Sequence, residues 1–243
     1  MTPAELDQLT QDCPYLYHMA ARDSWPLISK HGLLPTDRLI DLFEVPEEEG
    51  LALTMRRRPQ STLLSHPSLG TATVRDQIPL LDRDLKRCLR DGLSPLDWYR
   101  VLNERVFFWL TERRLQRLLC ASSYREQEHI VLKVRSADLI RDHYKKIELS
   151  PINSGATRPF PAPRGKDTFS SITDYPYTEW RKKRSKYESV VELTVIGGVE
   201  NIVDYVDGVS PRSSAGCRRA ILRPSSSRST VTRSQGSRRR SPP

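Results

Sequence analysis

The run Val106-Phe107-Phe108-Trp109-Leu110 is five apolar residues long, closed by Arg105 on one side and Thr111 on the other. It is the clearest strand signal in the chain, dense in residues that fit a pleated, half-buried surface. A membrane-spanning helix needs about 20 consecutive apolar residues. Apolar runs this short can therefore only be pieces of a globular core. Similar runs read as strands at 15–19, 129–134, 147–149, 190–195 and 203–206, with a weaker one at 71–77. Between them lie helix signals. Ser24 with Pro26, Ser94 with Pro95, and Thr111 and Ser136 ahead of apolar periodicity read as starts, and Gly32 as a stop. Further helices are predicted over 36–43 and 81–90. The elements alternate without a regular strand–helix–strand rhythm, which predicts an α+β fold.

Charge divides the chain in two. The net charge is +9, from 39 basic and 30 acidic residues. Residues 209–243 hold nine Arg, no Lys and no acid; removing those nine leaves 30 basic against 30 acidic residues in 1–208. A neutral folded domain over 1–208 and an Arg/Ser/Pro-rich tail over 209–243 are the expected organisation. The tail has too little apolar content to offset its ordering entropy and is read as disordered. It suits a phosphate-binding arm, a solvated extension, or the product of an altered reading frame. Residues 44–70 read as a helix and a loop, with Arg56-Arg57-Arg58 as a solvated basic face. Residues 158–170, rich in Pro and Gly, make a loop longer than a plain connection needs, which marks a functional or lid-like segment.

Several classes of chemistry lack their residues. The four cysteines are scattered without C-x-x-C spacing, and the N-terminal stretch carries Glu5, Asp7 and Asp12 where a signal peptide is basic and then apolar. A cytoplasmic protein with no membrane partner is expected. No metal site is expected either, because the five His are widely spaced and H-E-x-x-H is absent. G-x-S-x-G and the P-loop pattern are also missing. What stands out is a set of polar residues on apolar strands. His18 follows Tyr17 in the first strand, Trp109 and Thr111 share one face of the 106–110 strand, and Glu192 sits in VVELTV. Each has a plain reading: a hydrogen-bonded core histidine, a core tryptophan, a carboxylate facing water. Asn153, in the NSG turn, and Arg158 and Arg164, on the long loop, complete the candidates.

The order of these pieces resembles the ADP-ribosyltransferase-like superfamily. Tyr17-His18 on a first strand followed by SWPLISKHGLL resembles its opening. RVFFWLT resembles its second motif, and VVELTVIGGVENIVDYV resembles the closing segment of DarT-type DNA ADP-ribosyltransferases. RNA 2′-phosphotransferases share the first two pieces. Across residues 14–206 the motif order is most similar to a bacterial domain family of unknown function. The resemblance implies a split β-sheet core with flanking helices and an NAD-dependent ADP-ribosyl transfer to nucleic acid or protein, as a toxin or defence factor. It further implies that His18 bonds a ribose hydroxyl of NAD, that Trp109 packs near nicotinamide with Thr111 beside it, and that Glu192 is the catalytic carboxylate. The resemblance does not single out the Arg that meets the diphosphate; Arg158 and Arg164 are candidates by residue type, since a guanidinium fork suits phosphate, and Asn153 is a candidate for the nicotinamide amide by its own amide group. Two other readings stay open: a non-catalytic relative that binds NAD or a nucleotide-like ligand, and a nucleic-acid-binding module that uses the tail. The sequence carries no signal for oligomeric state.

Overall fold

A computed structural model describes residues 1–212 of the protein. Its strands are β1 (Tyr15–Ala21), β2 (Thr62–His66), β3 (Gly70–Val74), β4 (Arg105–Trp109), β5 (His129–Arg135), β6 (Ile147–Ser150), β7 (Ser170–Ser171), β8 (Glu192–Ile196) and β9 (Val206–Arg212). Its helices are α1 (Pro3–Asp12), α2 (Trp25–His31), α3 (Thr36–Leu42), α4 (Glu47–Met55), α5 (Asp82–Cys88), α6 (Pro95–Asn103), α7 (Glu112–Leu119), α8 (Ser136–His143) and α9 (Tyr177–Lys183). Strands β2 and β3 form a separate hairpin. The other seven make one antiparallel sheet in the order β7-β6-β8-β4-β1-β5-β9. The fold is α+β, with its helices packed around that sheet. Among the described residues no helix is long and apolar enough to cross a membrane.

Local chemistry explains the elements. Helix α6 starts at a capping box, in which the Ser94 hydroxyl accepts from Asp97 N–H while the Asp97 carboxylate accepts from Ser94 N–H, with Pro95 at the first helical position. Thr111 caps α7 by accepting from Arg114 N–H at 3.4 Å. That helix buries Leu115 and Leu119 and turns Arg113 and Arg117 to solvent. In β5, Ile130, Val131, Leu132 and Val134 are all buried, as a strand covered on both faces requires.

The sheet has one weak seam. Strands β1 and β5 are in register from Tyr15↔Arg135 to Ala21↔His129, seven pairs in all. Strands β1 and β4 register at a single pair, Tyr17↔Trp109. The seam divides the seven strands into a β7-β6-β8-β4 half and a β1-β5-β9 half.

Several expectations need correction. The segment read as helix and loop over 44–70 also contains β2, which turns through residues 67–69 and pairs with β3 from His66↔Gly70 to Thr62↔Val74. Within the Arg56-Arg57-Arg58 run only Arg56 is exposed, so the run is not a wet face as a whole. Arg58 is 7% exposed, its Nε donating to Arg75 O at 2.8 Å and its Nη1 to Asn103 Oδ1 at 2.9 Å. Arg57 Nη2 donates to Ile78 O at 3.0 Å. Carbonyl oxygens turned inward supply the acceptors that water was expected to give. Helix α9 carries no signal that the sequence reading used. Residues 202–204 form a 3-10 turn rather than a strand, and the closing strand is β9. Residues 209–212, read as the start of the tail, are thus in the sheet, with Val209 opposite Leu132 and Arg212 opposite His129. The main-chain ladder places them there, which composition does not register. The disorder expected for the rest of the tail lies outside the described residues.

Gly32 sits where two backbone segments approach closely. It caps α2 at φ 88°, and its neighbour Leu33 exchanges two hydrogen bonds with Val199, both 2.9 Å. A Cβ at Gly32 would stand 2.4 Å from Glu200 Cα. Gly32→Ala is expected to destabilise the fold by more than about 2 kcal/mol, through both the positive φ and the backbone clash. Urea unfolding measures this as a lower midpoint at unchanged slope.

Candidate active-site cleft

The seam between β1 and β4 holds a cavity of about 330 Å³. Consecutive residues of both strands line it, His18–Ala21 on one side and Arg105–Phe107 on the other. Side chains of neighbouring strand residues point to opposite faces, so lining by consecutive residues means that the strand edges themselves form the wall. The ladder closes at Tyr17↔Trp109 and opens beyond it.

Four of the seven expected site residues meet here: His18, Trp109, Asn153 and Glu192 line the same cavity. Trp109 is paired across the ladder with both Tyr17 and Glu192, and Glu192 with Ser150, so these four side chains share one row of the sheet. His18 Nδ1 lies 2.8 Å from Phe107 O. A carbonyl can only accept, so Nδ1 carries the proton and Nε2 is the acceptor of a ring that lines the cavity. Burial pushes the His18 imidazole down to about 4, against the raising effect of that carbonyl and helped by the nearby Arg75 charge. The ring is therefore neutral at physiological pH.

Glu192 is 3% exposed, and its Oε2 accepts from Ser154 N–H at 3.1 Å. Burial raises its carboxyl to about 7; the Ser154 bonds and the charges of Arg114 and Arg164 hold it from going higher. A carboxylate in this state is close to half ionised at neutral pH. It has the strength of a general base and the charge needed opposite a cation.

The other three candidates lie elsewhere. Thr111 is engaged as the cap of α7 and does not line the cavity. Arg158 is exposed on the long loop. Arg164 is 1% exposed and grips the turn that carries Asn153. Its Nη1 donates to Ser154 O at 2.7 Å, its Nη2 to Ala156 O at 2.9 Å and its Nε to Ala162 O at 3.1 Å. Trp98 Nε1 donates to the same Ser154 oxygen at 3.3 Å. With its donors spent on carbonyls, Arg164 orders the turn whose Ser154 N–H caps Glu192.

Sequence reasoning missed the second wall. Arg58, Arg75, Asp76 and Tyr124 also line the cavity. Tyr124 Oη donates to Asp76 Oδ1 at 2.7 Å, and the Arg75 guanidinium lies over the Tyr124 ring, 4.9 Å from its centroid. Arg58, Arg75 and Asp76 flank the β2–β3 hairpin, and Tyr124 comes from the loop after α7. The one signal that could have found them is a basic run placed beside a strand rather than in a helix. Among the described residues no group of three or more His, Cys, Asp or Glu is placed to hold a metal ion.

A single sheet opened at a central seam, with a cavity lined by a buried carboxylate, defines an α+β domain. The chain belongs to the Family of unknown function (DUF7002), whose model matches residues 14–206. That span contains every residue lining the cavity. A comparison with curated proteins finds no match.

Proposed function

We propose that the protein transfers ADP-ribose from NAD to an acceptor, with Glu192 as its catalytic carboxylate. The observation that carries this reading is the convergence on one cavity of Glu192, Trp109 and His18, whose roles the motif resemblance implies, with Asn153 beside them. The cavity volume of about 330 Å³ falls within the small-molecule range of about 300–1,000 Å³.

The chemistry follows from Glu192. The bond between ribose C1′ and the nicotinamide nitrogen breaks, and its electron pair neutralises the pyridinium as nicotinamide leaves. Positive charge builds on the sugar, where a preorganised carboxylate stabilises it. The acceptor forms the new bond to C1′ and gives up a proton, which Glu192 takes. The cationic nicotinamide ring favours the ionised form of Glu192 on binding, by the ordinary effect of an opposite charge nearby. Trp109 supplies a flat apolar face for the ring. The His18 Nε2 accepts from a ribose hydroxyl, which its fixed tautomer permits.

The test is nicotinamide release from NAD by the full chain, alone, with single-stranded DNA, and with cell extract. Release that one additive accelerates, with label from the adenine end passing to that additive, is the expected result. No release in any arm, together with no rise in melting temperature on adding NAD, overturns the reading and leaves a non-catalytic module.

A further inference from the structure

The wall opposite Glu192 has a charge that the fold leaves unanswered. Arg58 and Arg75 both line the cavity, and neither forms an ion pair with a carboxylate among the described residues. Asp76 lines the same wall but is turned to other donors. Its Oδ1 accepts from Tyr124 Oη at 2.7 Å and Ile78 N–H at 3.2 Å, and its Oδ2 from Ser61 Oγ at 3.2 Å. Two guanidiniums thus stand against one carboxylate already occupied. Arg58 spends its Nε and Nη1 on Arg75 O, Leu53 O and Asn103 Oδ1. Burial lowers it to about 10, which leaves it charged. Arg75 differs. It is positioned over the Tyr124 ring, and its Nη1 is buried with no hydrogen-bond partner. A buried donor without an acceptor is costly, and native folds rarely keep one without a use.

We propose that Arg75, backed by the Arg58 charge, is a binding subsite for a phosphate-type oxyanion inside this cavity. A planar guanidinium fork matches a tetrahedral oxyanion with two parallel hydrogen bonds. An anion at this wall gives the Arg75 guanidinium the charged partner that the described residues do not supply. The inference deepens the NAD reading and rests on it for the choice of phosphate over carboxylate; the subsite itself rests on Arg75. It moves the anion contact away from Arg158, which is exposed on its loop, and Arg164, whose donors are occupied.

The probes are inorganic pyrophosphate and, in a second arm, succinate, titrated calorimetrically into the full chain. Pyrophosphate is expected to bind, and Arg75→Gln to weaken it by about 10–100-fold, the range for one charge-assisted contact. Arg158→Gln is expected to leave it unchanged. Melting curves separate this from misfolding, since Arg75→Gln removes an unpaired cation and should keep its midpoint. If that variant melts early, Arg75→Lys serves, keeping charge and losing the fork, with an expected loss of about tenfold. Equal pyrophosphate affinity in wild type and variants, or no binding, overturns the subsite, and equal affinity for succinate overturns the phosphate choice. The two readings fail separately. Pyrophosphate binding without nicotinamide release keeps the subsite and removes the transferase. Nicotinamide release unaffected by Arg75→Gln does the reverse.

Discussion

Glu192→Gln is expected to cut nicotinamide release steeply and, at pH 8, to make the protein more stable. The two effects have one cause. The carboxyl is buried at 3% exposure and raised to about 7 from an ordinary 4.5. Between those values the folded state holds a proton that the unfolded state has released. Stability therefore falls as pH rises from about 4.5 through about 7 and stays low above it. The loss is about 3 kcal/mol when complete. Glutamine keeps an acceptor for Ser154 N–H and has no charge to desolvate. At pH 8 the variant is expected to melt about 5–10 °C above the wild type, with the gap closing towards pH 4.5. Catalysis should fall by about 10²–10³ or more, as removal of a charge-stabilising group does. Melting at pH 8 and pH 4.5, beside nicotinamide release at pH 8, checks both. A variant that melts lower than wild type at pH 8 shows that Glu192 is a structural ion-pair member and not a strained functional group.

The second large effect concerns Arg164, which touches no cavity space and still sets the site. It ties three carbonyls across the 154–162 segment and contributes positive charge near Glu192. Arg164→Met keeps most of the volume and removes both. Leaving buried carbonyls without donors is expected to cost about 3–5 kcal/mol, seen as an early urea midpoint. Enough folded protein remains at low temperature to record a pH profile. There the rise of activity with pH, set by ionisation of Glu192, is expected to move to higher pH, because one of the charges that holds its carboxyl down is gone. Arg164→Lys restores charge without the fork and should recover much of the profile but little of the stability. A purely structural Arg164 would lower the amount of active protein without moving the profile.

How much of this was legible in the sequence depends on the residue. Strands with strong local composition are readable: 106–110 and 129–134 overlap β4 and β5. His18, Trp109 and Glu192 sit where a strand pattern predicts, and the cavity gathers them. Arg164 was read by residue type, as a guanidinium on a loop. Its burial comes from a long-range event, the loop folding back so that Leu89 and Arg164 form an isolated bridge, and nothing local encodes that. The β2–β3 hairpin was hidden because LLSHPSLG offers a turn but few strand-favouring residues. With it, Arg58 and Arg75 were lost as site residues. The last strand was obscured by composition, since Ser210, Pro211 and Arg212 match the tail that follows and only their pairing with β5 sets them apart.

The open seam has a further consequence for how the cleft is built. Where consecutive residues of β1 and β4 form the wall, strand pairing sets the position of that wall. The remaining lining comes from the segment after β3 that brings Arg75 and from the turn that brings Asn153. The cleft therefore joins a wall set by strand pairing, which carries Trp109 and Glu192, to two rims that come from segments outside the seven-stranded sheet.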